Sequence, residues 1–201
     1  EGENNVARMK LDYIWSPYRD LFIKLEAGLI EEMFGGYGTE FYYRPFDSKF
    51  SFGFMLHQVK QRGFKQRFNF RDYETETGHF QFYYDWPGGV TSQLLVGKYL
   101  AKDYGFTLDL SKHFHSGFVL GIFATKTDLS SEEFGEGSFD KGFYFAIPVD
   151  LFLPNYQSGK ISFGLHPLTK DGGAMLNHHN SLYGMFGSSN NHSFIRDWQD
   201  I

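Results

Sequence analysis

From Ala7 to Trp15 the odd positions read Ala7, Met9, Leu11, Tyr13 and Trp15, and the even ones Arg8, Lys10, Asp12 and Ile14. A period of two over nine residues predicts a strand with one wet face. After a turn at Ser16 to Asp20, Leu21, Ile23, Leu25, Ala27 and Leu29 alternate with Phe22, Lys24, Glu26 and Gly28, so the two runs pair as a hairpin. The pattern returns along the chain. Tyr37 to Phe46 sets Phe41 and Tyr43 against Glu40 and Arg44, and Phe50, Phe52, Phe54 and Leu56 follow the Asp47-Ser48-Lys49 turn. Phe80, Phe82, Tyr84 and Trp86 oppose His79, Gln81, Tyr83 and Asp85; Pro87-Gly88-Gly89 then turns the chain toward a less regular partner, Thr91 to Leu100. Runs at Phe106 to Ser111, Phe118 to Thr125, Phe143 to Leu151 and Ile161 to Leu165 complete ten segments, with no competing helical period before residue 175.

Ten residues at about 3.3 Å each, tilted about 45°, rise about 23 Å, the height of the apolar band of an outer-membrane barrel. The spacing predicts tight turns after strands one, three, five, seven and nine. It predicts long loops after four, from about Gln61 to Glu76, and after eight, from Ser130 to Lys141. Aromatic pairs at strand ends, Tyr13 with Trp15, Tyr43 with Phe46 and Tyr84 with Trp86, fit interfacial girdles. The expected fold is therefore all-β: an antiparallel up-and-down outer-membrane β-barrel, or part of a larger one, over residues 1–176. A short irregular or helical tail follows over 177–201, where Ser193 caps a candidate helix that also plugs or seals a pore. Alternation alone leaves a second fold open, a soluble β-sandwich or barrel whose Phe rows face a shared core. Ten strands place Asn5 and Gly172 on one rim, the long-loop rim, so either further strands precede this chain in a longer protein, the favoured expectation, or the tail returns through the lumen, or the two rims are inverted.

Composition narrows the classes. The 201 residues carry 19 Lys+Arg against 24 Asp+Glu, a net charge of −5, so a basic nucleic-acid-binding module is not expected. Aromatic residues form 20% of the chain, which excludes intrinsic disorder. With no cysteine there is no disulfide framework, thiolate zinc site or cysteine nucleophile. Charges interrupt every apolar run well short of the roughly 18 residues of a membrane-spanning helix, a criterion that does not touch β-barrels. The chain opens at Glu1 without a basic or apolar leader and reads as a mature chain or an excised part.

Several segments go beyond periodicity: YRPF at Tyr43 to Phe46, VKQRGFKQRFNFRDYETETGH at Val59 to His79, and GKYLAKDYGFTLDLSKHF at Gly97 to Phe114. FGEGSFDKGFYFAIPVDLFLP at Phe134 to Pro154 and PLTKDGGAML at Pro167 to Leu176 are the more specific. Over roughly residues 30 to 200 the chain resembles the C-terminal part of the YjbH/GfcD-type family of exopolysaccharide and group 4 capsule operons. The resemblance implies a C-terminal portion of a Gram-negative outer-membrane β-barrel that helps secrete or assemble an extracellular polysaccharide. It implies, as partners, that polysaccharide, outer-membrane lipids and lipopolysaccharide, and other proteins of the secretion operon. It transfers no catalytic motif.

Four carboxylates lie within Ser131 to Asp140, and a glycosidase would need two of them about 5 to 9 Å apart with one pKa raised. A solvated loop, a cation- or polysaccharide-contacting loop and a loop folded into the lumen are the alternatives, and no catalytic residue is assigned. The polysaccharide-contacting candidates are Tyr42, Arg44, Tyr83, Asp85, Glu132, Glu133, Glu136 and Asp140, with Tyr42 and Tyr83 offering faces to sugar rings. Lys60, Arg62, Lys65, Arg67 and Arg71, interleaved with Phe64, Phe68 and Phe70, are candidates to contact phosphate or acidic polysaccharide. His178-His179 and His113-x-His115 lack a third ligand at useful spacing, and no metal or cofactor is expected. In a barrel, the wet faces, from Arg8, Lys10 and Asp12 through Lys24, Glu26 and Glu40 to Asp109, line the interior. They either give sliding polysaccharide weak contacts or pair and close a small lumen. A soluble polysaccharide-binding domain, a scaffold barrel and a glycan-modifying enzyme are the rival functions.

Overall fold

The computed structural model describes residues 5–114, 116–130, 139–149, 160–165 and 172–189. Its ten strands are β1 Met9–Tyr18, β2 Leu21–Leu29, β3 Phe34–Tyr43, β4 Phe50–Arg62, β5 Phe70–Trp86, β6 Val90–Lys98, β7 Tyr104–His113, β8 Val119–Thr127, β9 Asp140–Pro148 and β10 Lys160–Leu165. They form one antiparallel sheet in sequence order, and among the described residues β1 and β10 are not paired with each other. The up-and-down topology matches the alternation; the closure of a barrel does not follow from it.

The two faces are inverted relative to a water-soluble sheet. Lys24, Glu26, Glu40, His57, His79 and Gln81 are buried, whereas the outward face carries Leu25, Phe41, Phe54, Phe80, Val96 and Phe106. The strand register joins these into continuous rows. One runs Phe41, Phe54, Phe80, Val96, Phe106; a second runs Tyr43, Phe52, Phe82, Leu94, Leu108; a third links Leu110, Ile122, Phe143 and Leu165. Phe80 is 51% exposed and Lys24 0%. A sandwich would bury those rows under a second sheet, and among the described residues no second sheet exists, so the sandwich reading is corrected.

The polar face wraps around the chain's own return segment, residues 172–189, which includes helix α1, Leu182–Phe186. Phe186 of α1 stacks on Phe22 of β2 at 4.0 Å, and Tyr183 on Tyr83 of β5 at 4.0 Å. The same segment shares a cavity with Asp109 of β7, Thr125 of β8 and Asp140 of β9. Laid flat, β4 and β9 would stand about 24 Å apart, at about 4.8 Å per strand. Met55 of β4 and Asp140 of β9 nevertheless line one cavity of about 660 Å³, so the sheet curls.

Two expectations about connections change. β4 and β5 extend to Arg62 and from Phe70, so Gln61 to Glu76 is mostly a continued hairpin, with only 63–69 as its tip. The tight turn expected after strand nine is instead the eleven residues 149–159 between β9 and β10, about as long as 128–139 between β8 and β9, and 44–49 and 63–69 are also of similar length, so loop length does not separate the two rims. The candidate helix at Ser193 lies outside the described residues. Ser181 instead caps α1, accepting the Gly184 N–H at 3.0 Å.

Inward glycines make room for large cross-strand partners. A Cβ on Gly38 would sit 2.0 Å from the ring of His57, its partner in register. Gly38→Val should therefore displace a fully enclosed ring and cost about 1–3 kcal/mol. A lowered urea midpoint at unchanged slope would show it.

Candidate functional site

The site grows from the period-two alternation, which puts Lys10 and Asp12 of β1, Lys24 and Glu26 of β2, Glu40 of β3 and His57 of β4 on the buried face. Unpaired charges in such a place are costly, so each has partners. Lys24 Nζ lies 2.9 Å from Glu40 Oε2 and 3.3 Å from Glu26 Oε1. Lys10 Nζ donates to Glu26 Oε2 at 2.6 Å and stands 3.1 Å from Asp12. His57 Nε2 is 2.7 Å from Glu26 Oε1, and His178 Nδ1 of the return segment is 3.5 Å from the same oxygen.

The network then grips the backbone of the return segment. Lys24 Nζ donates to the Asn180 carbonyl at 2.8 Å, Glu40 Oε1 accepts the Leu182 N–H at 2.9 Å, and Arg44 Nε donates to the Gly187 carbonyl at 3.1 Å. Asp103 Oδ2 accepts from Gly173 N, and Glu31 Oε2 from Asn177 N, both at 2.9 Å. Burial pushes the Glu31 carboxyl above its ordinary range, and the Asn177 N–H pulls the other way. Charge-assisted bonds of this type contribute about 1.5–3 kcal/mol each. Two small cores complete the docking: Ile30, Val59, Leu100 and Leu176 at one end, and Tyr42, Tyr83 and Leu182 at the other.

Of the residues singled out from sequence, Tyr42, Arg44, Tyr83 and Asp85 come together around α1. Arg44 pairs with Asp85, whose other oxygen accepts from Thr91 at 2.9 Å. Tyr42 meets Tyr83 and Tyr183 edge-on, and Tyr83 stacks on Tyr183. The faces read as sugar platforms are thus covered by the chain itself. Asp140 lies apart from this group, on the wall of a cavity of about 660 Å³ beside the return segment, with Gln81, Gln93, Thr107, Asp109 and Thr125. There Tyr144 OH donates to Asp109 Oδ1 at 3.0 Å, and Gln93 Nε2 to Tyr83 OH at 3.3 Å. Glu132, Glu133 and Glu136 lie outside the described residues.

The basic set divides. Lys60, Lys65, Arg67 and Arg71 are exposed at the tip of the β4–β5 hairpin, with Arg71 over the Phe64 ring at 4.4 Å. Arg62 is fully buried, which corrects its place among the anion-contacting candidates. Its guanidinium donates to the carbonyls of Val6, Ala7, Glu31, Glu32, Gln66 and Arg67 at 2.6–3.4 Å. A bulge between Lys60 and Arg62 breaks the alternation and turns Arg62 inward. The residues sequence reasoning missed are Gln93, Thr107 and Thr125, plain polar positions on the inward parity, and Tyr183, Asn180 and Leu182 of the return segment. Parity was an available signal for the first three.

The match to a model of the family described as "Exopolysaccharide biosynthesis protein YbjH" covers residues 1–187. The chain is 40% identical over 187 residues to the "Uncharacterized lipoprotein YjbH" of Escherichia coli (strain K12), an alignment covering 90% of this chain and 26% of that protein. The chain thus spans about a quarter of the length of the relative it matches. No solved structure matches it.

Replacing Arg62 by Met should leave several buried carbonyls without a donor and cost about 3 kcal/mol. Limited proteolysis should then cut within 30–33 and 63–69, turns whose carbonyls Arg62 holds, faster than in the parent protein.

Proposed function

The chain belongs to the YjbH exopolysaccharide biosynthesis family, and from that premise we propose that it forms part of the wall of an outer-membrane β-barrel that takes part in exopolysaccharide secretion. The observation that carries the reading is the inverted polarity: enclosed charges on one face of the sheet, uninterrupted rows of Phe and Leu on the other. An apolar surface of that extent is unfavourable in water and is what a lipid-facing wall requires.

On β4 the outward apolar run extends from Phe50 to Leu56, and on β7 from Tyr104 to Leu110. Seven residues make about 24 Å of strand and, at a tilt of about 45°, rise about 17 Å, the larger part of the outer-membrane apolar band of about 25 Å. Beyond it the β4–β5 hairpin turns polar, with Gln58, Lys60 and Glu74 on its outer face and Gln58 Nε2 donating to Glu74 at 2.8 Å. At the other end Tyr43, Phe50, Tyr84 and Trp86 cluster, Phe50 and Tyr84 being 4.5 Å apart and Tyr84 and Trp86 4.6 Å apart. Such rings suit a membrane interface. No helix among the described residues is long and apolar enough to cross a membrane, which says nothing of strands. The E. coli relative is named a lipoprotein, and an envelope location accords with that name.

Among the described residues the outer edges of β1 and β10 have no strand partner, which accords with a wall completed by other strands of a longer protein, since an unpaired edge in lipid leaves backbone groups unsatisfied. Within the wall, the cavity lined by Gln81, Gln93, Thr107, Asp109 and Thr125 offers neutral hydroxyl and amide groups with few charges, a lining suited to sugar hydroxyls. The return segment fills the lumen on the β2–β5 side and narrows it. The reading assigns positioning and passage, not catalysis. Its partners are the polysaccharide, outer-membrane lipids and the other secretion proteins.

The substitution Phe80→Lys tests the reading in the full-length protein. In phospholipid vesicles it should lower unfolding stability by about 2–4 kcal/mol, the cost of a mid-bilayer lysine. Exported exopolysaccharide should fall with it. On a water-facing surface the change would stay within about 0.5 kcal/mol, and that result would contradict the proposal.

A further inference from the structure

Three donors from distant parts of the chain meet where the return segment crosses the polar face. Glu26 of β2, His57 of β4 and His178 of the return segment bring one carboxylate oxygen and two imidazole nitrogens within 4.8 Å of one another. His57 Nε2 and His178 Nδ1 both face Glu26 Oε1, at 2.7 and 3.5 Å, and His178 Nδ1 makes no hydrogen bond. A fourth imidazole is close by. His79 is 2% exposed, its Nε2 is buried without a hydrogen-bond partner, and its ring lines with His57 and His178 one narrow void closed by Met55, Thr77, Gly78 and Leu176. Buried ring nitrogens are ordinarily satisfied, and two that are not, His178 Nδ1 and His79 Nε2 beside one void, call for an explanation.

We propose that Glu26, His57 and His178 bind a divalent transition-metal ion, with His79, outside that 4.8 Å set but lining the same void, next to the fourth position. Two imidazoles and a carboxylate with room for one more ligand is a zinc-type set; it lacks the oxygen-rich shell of calcium or magnesium. Tetrahedral zinc holds its donors about 3.3 Å apart, so the longest separation must close by about 1.5 Å. His178, carried by the return segment and not by the sheet, can make that adjustment. The lysines around Glu26 do not forbid a cation. Lys24 keeps Glu40 at 2.9 Å and the Asn180 carbonyl at 2.8 Å when Glu26 Oε1 turns to metal. Lys10 keeps Asp12 at 3.1 Å and the opposite oxygen, Glu26 Oε2, at 2.6 Å. With neutral histidines the cluster of Lys10, Lys24, Asp12, Glu26 and Glu40 carries one negative charge in excess, which favours a cation. Sequence reasoning set metal aside because it weighed His178 only against its neighbour His179, whereas the partners lie far away in the chain and adjacent only in space.

A metal here would tie β2 and β4 to the return segment and clamp that segment onto the wall. That consequence rests on the luminal reading above; the metal site itself does not. The test uses the full-length protein, untagged, in detergent, dialysed against Zn²⁺ or Co²⁺. Retention of about one equivalent of zinc and a four-coordinate cobalt absorption spectrum are expected. His178→Ala, a change on the return segment that leaves the sheet intact, should weaken zinc binding by at least about tenfold, and His79→Gln should alter the cobalt spectrum. A protein that retains no zinc, or a His178→Ala variant that retains as much as the parent, overturns the proposal. Migration of the same samples with and without boiling reports barrel closure separately, so a failed barrel reading and a failed metal site are told apart.

Discussion

An inward face of mixed charge must find every partner inside the molecule, and the rest of this structure follows from that requirement. Lys24 is the centre of it. With no exposed surface, its ammonium is held by Glu40, Glu26 and the Asn180 carbonyl, so two strands and the return segment are committed to one arrangement. Removing Lys24 itself would take the shared ammonium from Glu40 and Glu26 at once, a loss of several kcal/mol. The sheet curls around the return segment because that segment supplies the backbone donors and acceptors that the wall's charges lack.

Enclosing the polar face leaves the apolar one outside. The rows led by Phe54, Phe80 and Phe106 have no cover among the described residues, and their continuity from strand to strand is a property of the register, not of any one side chain. Polar within and apolar without is stable where the surroundings are lipid. The same constraint divides the polar side of the sheet: a part is occupied by the chain's own helix near Tyr42, Tyr83 and Arg44, and a part is left as a cavity beside Gln93, Thr107 and Asp109. On the proposed reading the second would take the hydroxylated polymer and the first would set its width.

Much of this was legible in the alternation. All ten strands, and the inward placement of Lys10, Asp12, Lys24, Glu26, Glu40, His79 and Asp109, come from parity, because a strand cannot hold a period of two without sorting its side chains. Parity fails where it is broken. The bulge before Arg62 moves that residue from the expected basic tip to a buried hub of carbonyls, and no sequence signal marks a bulge there. Alternation also does not say what fills the polar side. Helix α1 is five residues with Gly184 in the middle, too short for a period, and its contacts with Phe22, Glu40 and Tyr83 are long-range. The meeting of Glu26, His57 and His178 is hidden for the same reason.

The central claim is that the outward rows face lipid. It is tested most directly by spin labels on single cysteines placed one at a time along β5 from His79 to Asp85, with the full-length protein in vesicles. The chain has no cysteine of its own, and any cysteine elsewhere in the longer protein is first replaced by serine. Labels at Phe80, Phe82 and Tyr84 should collide with dissolved oxygen and escape a water-soluble nickel complex, while those at Gln81 and Tyr83 should be shielded from both. Outward labels that meet the nickel complex freely would place the Phe rows in water and contradict the account.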